Sequence, residues 1–208
     1  LNISSQNGRN GPSLWEEIRA NSNLNYDNTK PQIIEALKKY DSHQYLINRL
    51  SKNGQRYLFY TVSEALKRDL PVELSLIPFI ESQFDPYAQS STGASGIWQF
   101  IPSTAIENGL KKNWWYDARR DIVASTDAAY NFLIKLHQEH DDWLIAIAAY
   151  NAGPSRVRKE IKKNKAKGLP TDFWSLNLPK ETKAYVPKIL ALSEVIRNPK
   201  FSNIELPY

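Results

Sequence analysis

Residues 70–100 read LPVELSLIPFIESQFDPYAQSSTGASGIWQF, and this stretch decides the fold. Leu74, Ile77 and Glu81 follow one another at spacings of three and four residues, so they share one face of a helix. The other faces of the segment are apolar too, and a helix that is apolar nearly all round is buried. Pro78 cannot donate a backbone hydrogen bond, so it bends the helix. The stretch therefore predicts a buried, bent helix that carries one carboxylate and ends before a glycine-rich turn.

Glu81 is the leading candidate for a catalytic residue. A carboxylate in apolar surroundings is costly unless it is paired, solvated in a cleft or held protonated. A carboxyl group that stays protonated near neutral pH is what an acid catalyst of glycoside cleavage needs. The alternative is a structural carboxylate tied to an arginine or to backbone amides, and Glu81 alone does not decide between the two. No other carboxylate lies in a comparably apolar helical setting, and Asp85, before Pro86, is interpreted as a turn residue.

The composition is that of an ordinary globular protein with one sizeable domain. The chain has 208 residues, of which 41% are hydrophobic and 24% are charged. No apolar run approaches the length of a membrane span. The absence of cysteine excludes disulfides, thiolate catalysis and cysteine-bound zinc. Because the sequence starts at Leu1 and shows no signal-peptide pattern, we expect a processed chain.

The net charge of +5 is concentrated in one short basic stretch. Its members are Arg156, Arg158, Lys159, Lys162, Lys163, Lys165 and Lys167. Basic surfaces attract polyanions such as nucleic acid, anionic lipid or an acidic cell-wall polymer. A solvated helix face is the favoured interpretation, since no nucleic-acid-binding motif accompanies the charges. We predict neither a metal nor a cofactor, because the histidines are scattered and no P-loop or dinucleotide fingerprint occurs.

The pattern along the chain predicts an all-α protein built from two regions. Residues 12–68 form a helical arm, and residues 69–198 form the main domain on which the arm packs. Residues 1–11 and 199–208 are expected to be a loose N-terminus and a C-terminal tail. In the arm, no alternation of apolar and polar residues predicts a strand.

Helix boundaries in the arm follow from capping signals. Ser13 and Glu16 have capping-box spacing before a first helix, and Pro31 opens a second. Ser42 is the predicted cap of a third helix, which Gly54 is expected to break or bend. Five more helices are predicted after residue 100, over residues 102–109, 121–140, 142–153, 157–167 and 179–197.

A glycine-rich turn, GASGIWQF, follows the Glu81 helix at residues 93–100. Two glycines flanking small residues permit positive φ and a close approach of the backbone to a ligand. Trp98 offers a flat apolar face on which a sugar ring can stack, and Gln99 offers a donor and an acceptor. A tight turn with a core tryptophan is the alternative, and the motif alone leaves both open.

Two later motifs place polar side chains where helices begin or end. Tyr150 and Asn151 come just before Gly153, where a helix is predicted to end and open into a cleft. Glu181 and Tyr185 are four residues apart and share a helix face. Taken alone, the first motif is an ordinary helix end and the second a surface pair.

Together, and in this order, the motifs resemble those of the lysozyme-like lytic transglycosylases of glycoside hydrolase family 23. The resemblance extends over residues 70–198, although Trp98 stands where the family has methionine. It implies a lysozyme-like helical catalytic domain, of the α+β lysozyme-like superfamily, with an N-terminal helical arm packed on it. It rests on Glu81-Ser82, Gly96-Ile97-Trp98-Gln99, Ala149-Tyr150-Asn151 and Glu181-Thr182-Lys183-Ala184-Tyr185-Val186.

The resemblance implies non-hydrolytic cleavage of peptidoglycan. In this family the bond between N-acetylmuramic acid and N-acetylglucosamine is cut, and the muramic 6-hydroxyl closes a 1,6-anhydro ring. Glu81 would act first as acid and then as base, so a second carboxylate and a cofactor are unnecessary. The implied substrate-binding residues are Ser82, Trp98, Gln99, Tyr150, Asn151, Glu181 and Tyr185.

The resemblance also implies a cellular setting. The partner is the glycan strand of peptidoglycan, with no nucleic acid, and we expect a monomer in the periplasm. In the members of the family that this sequence resembles most, a lipid-attachment signal usually precedes this region and gives attachment to the outer membrane, and wall-binding LysM repeats follow it. Neither lies within these 208 residues.

Two rival interpretations stay open from the residues. A goose-type lysozyme-like hydrolase shares the fold and the glutamate but releases reducing ends through water. A catalytically silent cell-wall-binding scaffold shares the fold without the activity. The lack of a partner aspartate argues against the first, and the intact Glu81, Gln99 and Tyr150 argue against the second.

Overall fold

The structure, a computed structural model, describes residues 13–41 and 44–198 and is mostly helical. Within these residues, β-structure is limited to isolated bridges, so the predicted all-α class is confirmed. Two short 3₁₀ helices, Val72–Leu76 and Phe173–Ser175, accompany the α-helices. The α-helices are α1 (Leu14–Asn21), α2 (Pro31–Asp41), α3 (Gln44–Leu66), α4 (Ile77–Ser82), α5 (Pro102–Glu107), α6 (Ile122–His140), α7 (Trp143–Ala152), α8 (Pro154–Ala166) and α9 (Lys180–Arg197).

Some predictions fall on residues that the structure does not describe. They are the loose N-terminus at 1–11, the tail at 199–208 and the cap at Ser42. No described helix is both long enough and apolar enough to cross a membrane.

The capping box at the start of α1 is confirmed. The Ser13 hydroxyl accepts from the Glu16 amide at 3.3 Å, and the Glu16 carboxylate accepts from the Ser13 amide at 2.7 Å. Of the break or bend expected at Gly54, the break is wrong, because α3 continues through this residue. A Cβ on Gly54 would lie 3.3 Å from the Phe84 ring, so glycine here permits close packing.

The arm is fastened to the rest of the molecule by an apolar core and by buried polar contacts. Its α2 packs along α9, and the side chains of Ile18 and Ile33 are fully buried in the shared core. The Tyr26 hydroxyl donates to Glu194 Oε1 at 2.6 Å, and Arg19 Nε donates to the Ile196 carbonyl at 2.7 Å. The arm therefore holds α9 on one side along much of its length.

Helix α7 lies at the centre of the main domain. Every residue from Leu144 to Ala149 is buried, and α6, α8 and α9 pack around it. Asp142 caps its start, because Oδ1 accepts from the Leu144 and Ile145 amides at 2.7 and 3.1 Å. The helix ends at Gly153, which has a φ of 88°. This arrangement puts the last turn of a rigid core helix beside the candidate site.

The predicted bent helix around Pro78 is two helices of different kinds. A 3₁₀ helix covers Val72–Leu76, and α4 starts at Ile77. The change comes one residue before Pro78, which occupies the first turn of α4, where no backbone donor is needed. Gln83 ends α4 in the left-handed conformation, at a φ of 54°. Glu81 consequently lies in the last turn of a short helix and not in the middle of a long one.

Glu81 is not alone among carboxylates in apolar helical settings, so that expectation is wrong. Glu73 is fully buried, and burial raises its pKa, although its Oε1 accepts from the Leu24 amide at 3.3 Å. Glu194 is buried as well and receives the Tyr26 hydroxyl. Both carboxyl groups bond to residues of the arm, which gives them a structural role.

The basic stretch forms most of α8, and its charged side chains are exposed. Val157 is buried and anchors the inner face of the helix. Arg158 pairs with Glu139 of α6 at 3.0 Å, and Lys163 pairs with Glu160 within α8. The favoured interpretation of a solvated helix face agrees with this arrangement.

Gly96 lies at the tightest contact of the glycine-rich turn. Its φ is 81°, and a Cβ there would lie 1.8 Å from the Arg119 carbonyl oxygen. The buried Arg119 guanidinium donates to the carbonyls of Gly93 at 2.7 Å and Phe100 at 3.0 Å. Asp117 holds that guanidinium through an ion pair of 2.7 Å. A buried arginine that lies outside the turn in sequence therefore holds both ends of the turn.

This geometry predicts that Gly96→Ala unfolds the protein far more readily than Gly109→Ala. Both glycines have a φ near 80°, but a Cβ on Gly109 would meet nothing within 4 Å. We expect Gly109→Ala to cost about 1–2 kcal/mol for the left-handed backbone. Gly96→Ala should cost at least about 3 kcal/mol, because the backbone contact must also open. Urea unfolding of both variants gives the two values, and equal losses would contradict the assigned contact.

Candidate active site

Glu81 and Tyr185 join two helices across the candidate site. Glu81 is half-buried in the last turn of α4, and Tyr185 is buried in the second turn of α9. The Tyr185 hydroxyl donates to Glu81 Oε1 at 2.5 Å. Tyr185, which is predicted to share a helix face with Glu181, therefore contacts the candidate catalytic carboxyl group of Glu81 directly.

The Glu81 carboxyl has the acidity of a group that can serve as both acid and base. Burial is the largest effect and raises its pKa, and the negative charge of Glu181 raises it further. The hydrogen bond from Tyr185 favours the charged form and lowers the pKa. The outcome is a pKa of about 7, so both protonation states are populated near neutral pH.

Tyr150 packs beside this pair at the end of α7. Its hydroxyl donates to the Trp98 carbonyl at 2.8 Å, and its ring lies between Phe100 and Phe132. Burial, together with the charge of Glu81, raises the pKa of Tyr150 well above its ordinary value. Tyr150 thus stays a neutral phenol and ties the core helix to the glycine-rich turn.

Gln99 is held in a strained position by the same turn. Its φ is 50°, in the left-handed region that residues other than glycine rarely adopt. Its side-chain amide donates to the carbonyls of Gly96 at 2.8 Å and Ala88 at 3.2 Å. The side chain is half-buried and fixed by these bonds. Strain of this kind is typical of functional sites.

Ser82 and Asn151 both make contacts that hold the site together. The Ser82 hydroxyl lies 3.0 Å from the Ile97 carbonyl and 3.1 Å from that of Pro78. Asn151 Oδ1 accepts from the Thr182 hydroxyl at 2.8 Å, which links the end of α7 to the start of α9. Both side chains are half-buried, and each forms at least one hydrogen bond within the protein.

The structure contradicts the prediction that Trp98 stacks on a sugar ring. Its side chain is fully buried, and its indole N–H donates to the Thr126 hydroxyl at 3.0 Å. The ring packs edge-on against Tyr130 and Tyr150. Trp98 is therefore a core residue, and its carbonyl, not its ring, contributes to the site.

Glu181 is near the site but not bonded within it. It is exposed in the first turn of α9, where its charge raises the pKa of Glu81. Asp85 is exposed as well, and its Oδ1 accepts from the Tyr87 amide at 2.8 Å, as expected of a turn residue. Among the described residues, no second carboxyl group hydrogen-bonds to the Glu81 carboxyl.

Sequence reasoning missed two residues that position the site. Arg119 fixes the glycine-rich turn, and Thr182 holds Asn151. Thr182 could have been found, because it lies between Glu181 and Tyr185 in the same motif. Arg119 lies in the segment Asp117-Ala118-Arg119-Arg120-Asp121, but its local spacing does not show that it is buried against the carbonyls of Gly93 and Phe100, because charged residues are ordinarily exposed.

The chain is similar to known proteins over most of its length. The sequence profile described as "Transglycosylase SLT domain" matches residues 61–172. The membrane-bound lytic murein transglycosylase D of Escherichia coli strain K12 is 49% identical over 177 residues, which cover 85% of this chain and 39% of that protein. A membrane-bound lytic murein transglycosylase F of Desulfosudis oleivorans is 32% identical over 49% of this chain and 22% of its own length. The chain thus spans about two fifths of its Escherichia coli relative.

The fold is shared with a solved structure. The 70 kDa soluble lytic transglycosylase of Escherichia coli superposes with a TM-score of 0.53 at 20% identity, over 83% of this chain and 31% of that one. This likeness supports the lysozyme-like helical fold that the four motifs imply. The family profile matches more than half of the residues of this chain, and the matched segment includes Glu81, Gln99 and Tyr150. The chain therefore belongs to the transglycosylase SLT domain family.

Proposed function

We propose that this protein is a peptidoglycan lytic transglycosylase with Glu81 as its single acid and base. The reaction is cleavage of the β-1,4 bond between N-acetylmuramic acid and N-acetylglucosamine without water. The observation that carries the proposal is a half-buried carboxyl group with a pKa of about 7, which accepts a hydrogen bond from a buried tyrosine and bonds to no second carboxyl group among the described residues. The names of the two membrane-bound relatives, both lytic murein transglycosylases, support the same reaction.

The first step is proton transfer to the leaving oxygen. Protonated Glu81 donates to the glycosidic oxygen as the bond from the muramic C1 to that oxygen breaks, and the N-acetylglucosamine part leaves as an alcohol. Burial keeps the proton on Glu81 until this step, because it disfavours the carboxylate. The Tyr185 hydroxyl then stabilises the carboxylate that forms, since it already donates to that oxygen.

The second step returns the proton and closes the ring. The Glu81 carboxylate takes the proton of the muramic 6-hydroxyl while the oxygen of that hydroxyl bonds to C1. The product has a 1,6-anhydro end, no water is consumed, and Glu81 is protonated again. Because the nucleophile belongs to the substrate, one protein carboxyl suffices, in contrast to the usual pair of glycosidases.

The remaining site residues have binding and positioning roles in this proposal. Tyr150 and Gln99 orient the saccharide against Glu81, and both are already held by the glycine-rich turn. Ser82 and Asn151 hydrogen-bond to hydroxyl or N-acetyl groups as well as to their protein partners. Glu181 lines the entrance and tunes the acidity of Glu81. Trp98 has no place among the binding residues, because it is buried.

The proposed organisation follows the predicted boundaries. Residues 69–198 form the catalytic domain, and residues 12–68 form the arm. We place the protein in the periplasm as a monomer that acts on glycan strands, since its substrate lies there. The name of the Escherichia coli relative describes that protein as membrane-bound, and attachment to the outer membrane outside this segment is part of the proposal.

Replacing the proposed acid tests the function directly. Glu81→Gln should retain the fold and lose turnover of purified peptidoglycan by about three orders of magnitude or more. Mass spectrometry of the soluble products should show anhydro-muropeptides from the wild type. Activity within tenfold of wild type would remove Glu81 from catalysis. Products heavier by one water would point to a hydrolase, and no products from the wild type would point to a binding scaffold.

Two substitutions should move the pH dependence of kcat/KM in opposite directions. The resting enzyme needs protonated Glu81, so activity falls as the pH rises through about 7. Tyr185→Phe removes a hydrogen bond that lowers the pKa of Glu81, so the alkaline limb should move to higher pH. Glu181→Gln removes a charge that raises this pKa, so the limb should move to lower pH. The pH dependence of kcat/KM on soluble glycan fragments measures both shifts. An alkaline limb that stays in place in both variants would contradict the assignment of Glu81 as the acid.

The raised pKa of Glu81 also predicts a cost in stability. In the native protein the carboxyl titrates at about 7, above its ordinary value of 4.5, so native protein binds the proton more tightly than unfolded chain. Wild-type stability therefore falls between pH 4.5 and 7, by about 1–3 kcal/mol. Glu81→Gln escapes this loss, and its advantage in urea unfolding should grow over that pH range. The exposed Glu107→Gln serves as control, and an advantage of Glu81→Gln that is independent of pH would refute the argument.

A further inference from the structure

A groove of about 480 Å³ lies between α2, α4 and α9. Its floor is apolar and consists of Ala36 from the arm, Phe79 and Ile80 from α4, and Pro187 from α9. This volume is in the range of sites that hold small molecules or short peptide segments. The groove is separate from the glycine-rich turn and from Tyr150.

The rim of the groove is positively charged. It carries Lys39, Lys180, Lys183 and Lys188, and Glu35 is the one acidic residue among the described residues that line the groove. Glu35 is paired with Lys39 at 2.9 Å. Lys183 lies 3.5 Å from Asn177 Oδ1, while Lys180 and Lys188 form no ion pair with any described residue. Cations around an apolar floor suit an occupant that has carboxylates and short aliphatic side chains.

The groove and the catalytic pair are built on the same two helices. Ile80 of the floor is the residue directly before Glu81 in α4. On α9, Lys180 precedes Glu181, and Ala184 precedes Tyr185. Neighbouring residues in a helix point about 100° apart, so the groove lies on the face next to the catalytic one. An occupant of the groove would therefore lie one helix face away from the bond that is cut.

We propose that this groove binds the carboxylate-bearing peptide stem of a muramic acid residue. The proposal rests on the proposed function, because the stem enters only as part of a peptidoglycan strand. Peptide stems are attached to the muramic ring whose bond is cut, and they combine free carboxylates with alanine methyl groups. The four lysines match the first feature, and the apolar floor matches the second.

The proposal gives the arm a role in substrate choice. One wall of the groove is α2, which supplies Ala36, Glu35 and Lys39. Helix α2 also packs along α9, so the wall is fixed relative to Tyr185. The arm then shapes the groove in addition to stabilising the domain.

The test separates the stem from the glycan. Lys183→Gln/Lys188→Gln removes two rim charges, and Lys162→Gln/Lys165→Gln removes the same charge from the exposed face of α8. Turnover is measured on intact peptidoglycan and on the same strands after an amidase has removed the stems. We expect the rim variant to lose at least fivefold in kcat/KM on intact strands and to match the wild type on stripped strands. The α8 variant should keep the wild-type ratio between the two substrates.

Binding of a free stem peptide tests the groove without catalysis. Calorimetry with the tetrapeptide L-Ala-D-Glu-diaminopimelate-D-Ala should show weak, salt-sensitive binding to Glu81→Gln protein, and at least fivefold weaker binding when the two rim lysines are also replaced. No peptide binding, or equal losses on both polymers, would overturn the proposal. Peptide binding by a wild-type protein that releases no anhydro products would support the groove and overturn the proposed function instead.

Discussion

The hydrogen bond from Tyr185 to Glu81 is the contact on which the site depends, because it joins α4 to α9 at the reacting group. Helix α4 has six residues, too few to be stable alone, so its position comes from its neighbours. The acidity of Glu81 then reflects opposed effects, with burial raising its pKa and the tyrosine lowering it. A small displacement of either helix would change both the geometry and the proton affinity.

The backbone around this contact carries strain that the surrounding structure holds in place. Gln83, Phe84 and Gln99 all have positive φ, at 54°, 61° and 50°. Each such residue costs on the order of 1–3 kcal/mol and persists only where its neighbours over-determine it. Phe84 is buried, and Gln99 is held by two carbonyl groups. Together with the raised pKa of Glu81, these residues make the site the least relaxed part of an otherwise regular helical core.

The sequence predicts most of the helices well because helix formation depends on local features. Spacing alone places Glu81 on a buried helical segment, and the Ser13 capping box is visible at three residues' separation. Local patterns do not predict the roles of Trp98 and Gly54, because distant partners set them. Thr126 accepts a hydrogen bond from the Trp98 indole N–H, and the Phe84 ring packs against Gly54. A tryptophan after a glycine-rich turn has the same local pattern whether its ring faces a cleft or the core. Only the tertiary structure separates these cases.

Burial by itself does not distinguish the proposed acid, since the side chains of Glu73 and Glu194 are less accessible to solvent than that of Glu81. Those two carboxyl groups accept from arm residues, the Leu24 amide and the Tyr26 hydroxyl, and so fasten the arm to the 3₁₀ helix and to α9. Within the described part of the chain, Glu81 accepts a hydrogen bond on one carboxylate oxygen, and its side chain remains partly accessible. The protein therefore uses its glutamates in two ways. Glu73 ties the 3₁₀ helix to the arm and Glu194 ties α9 to the arm, and because α9 is held in this way, its Tyr185 reaches Glu81.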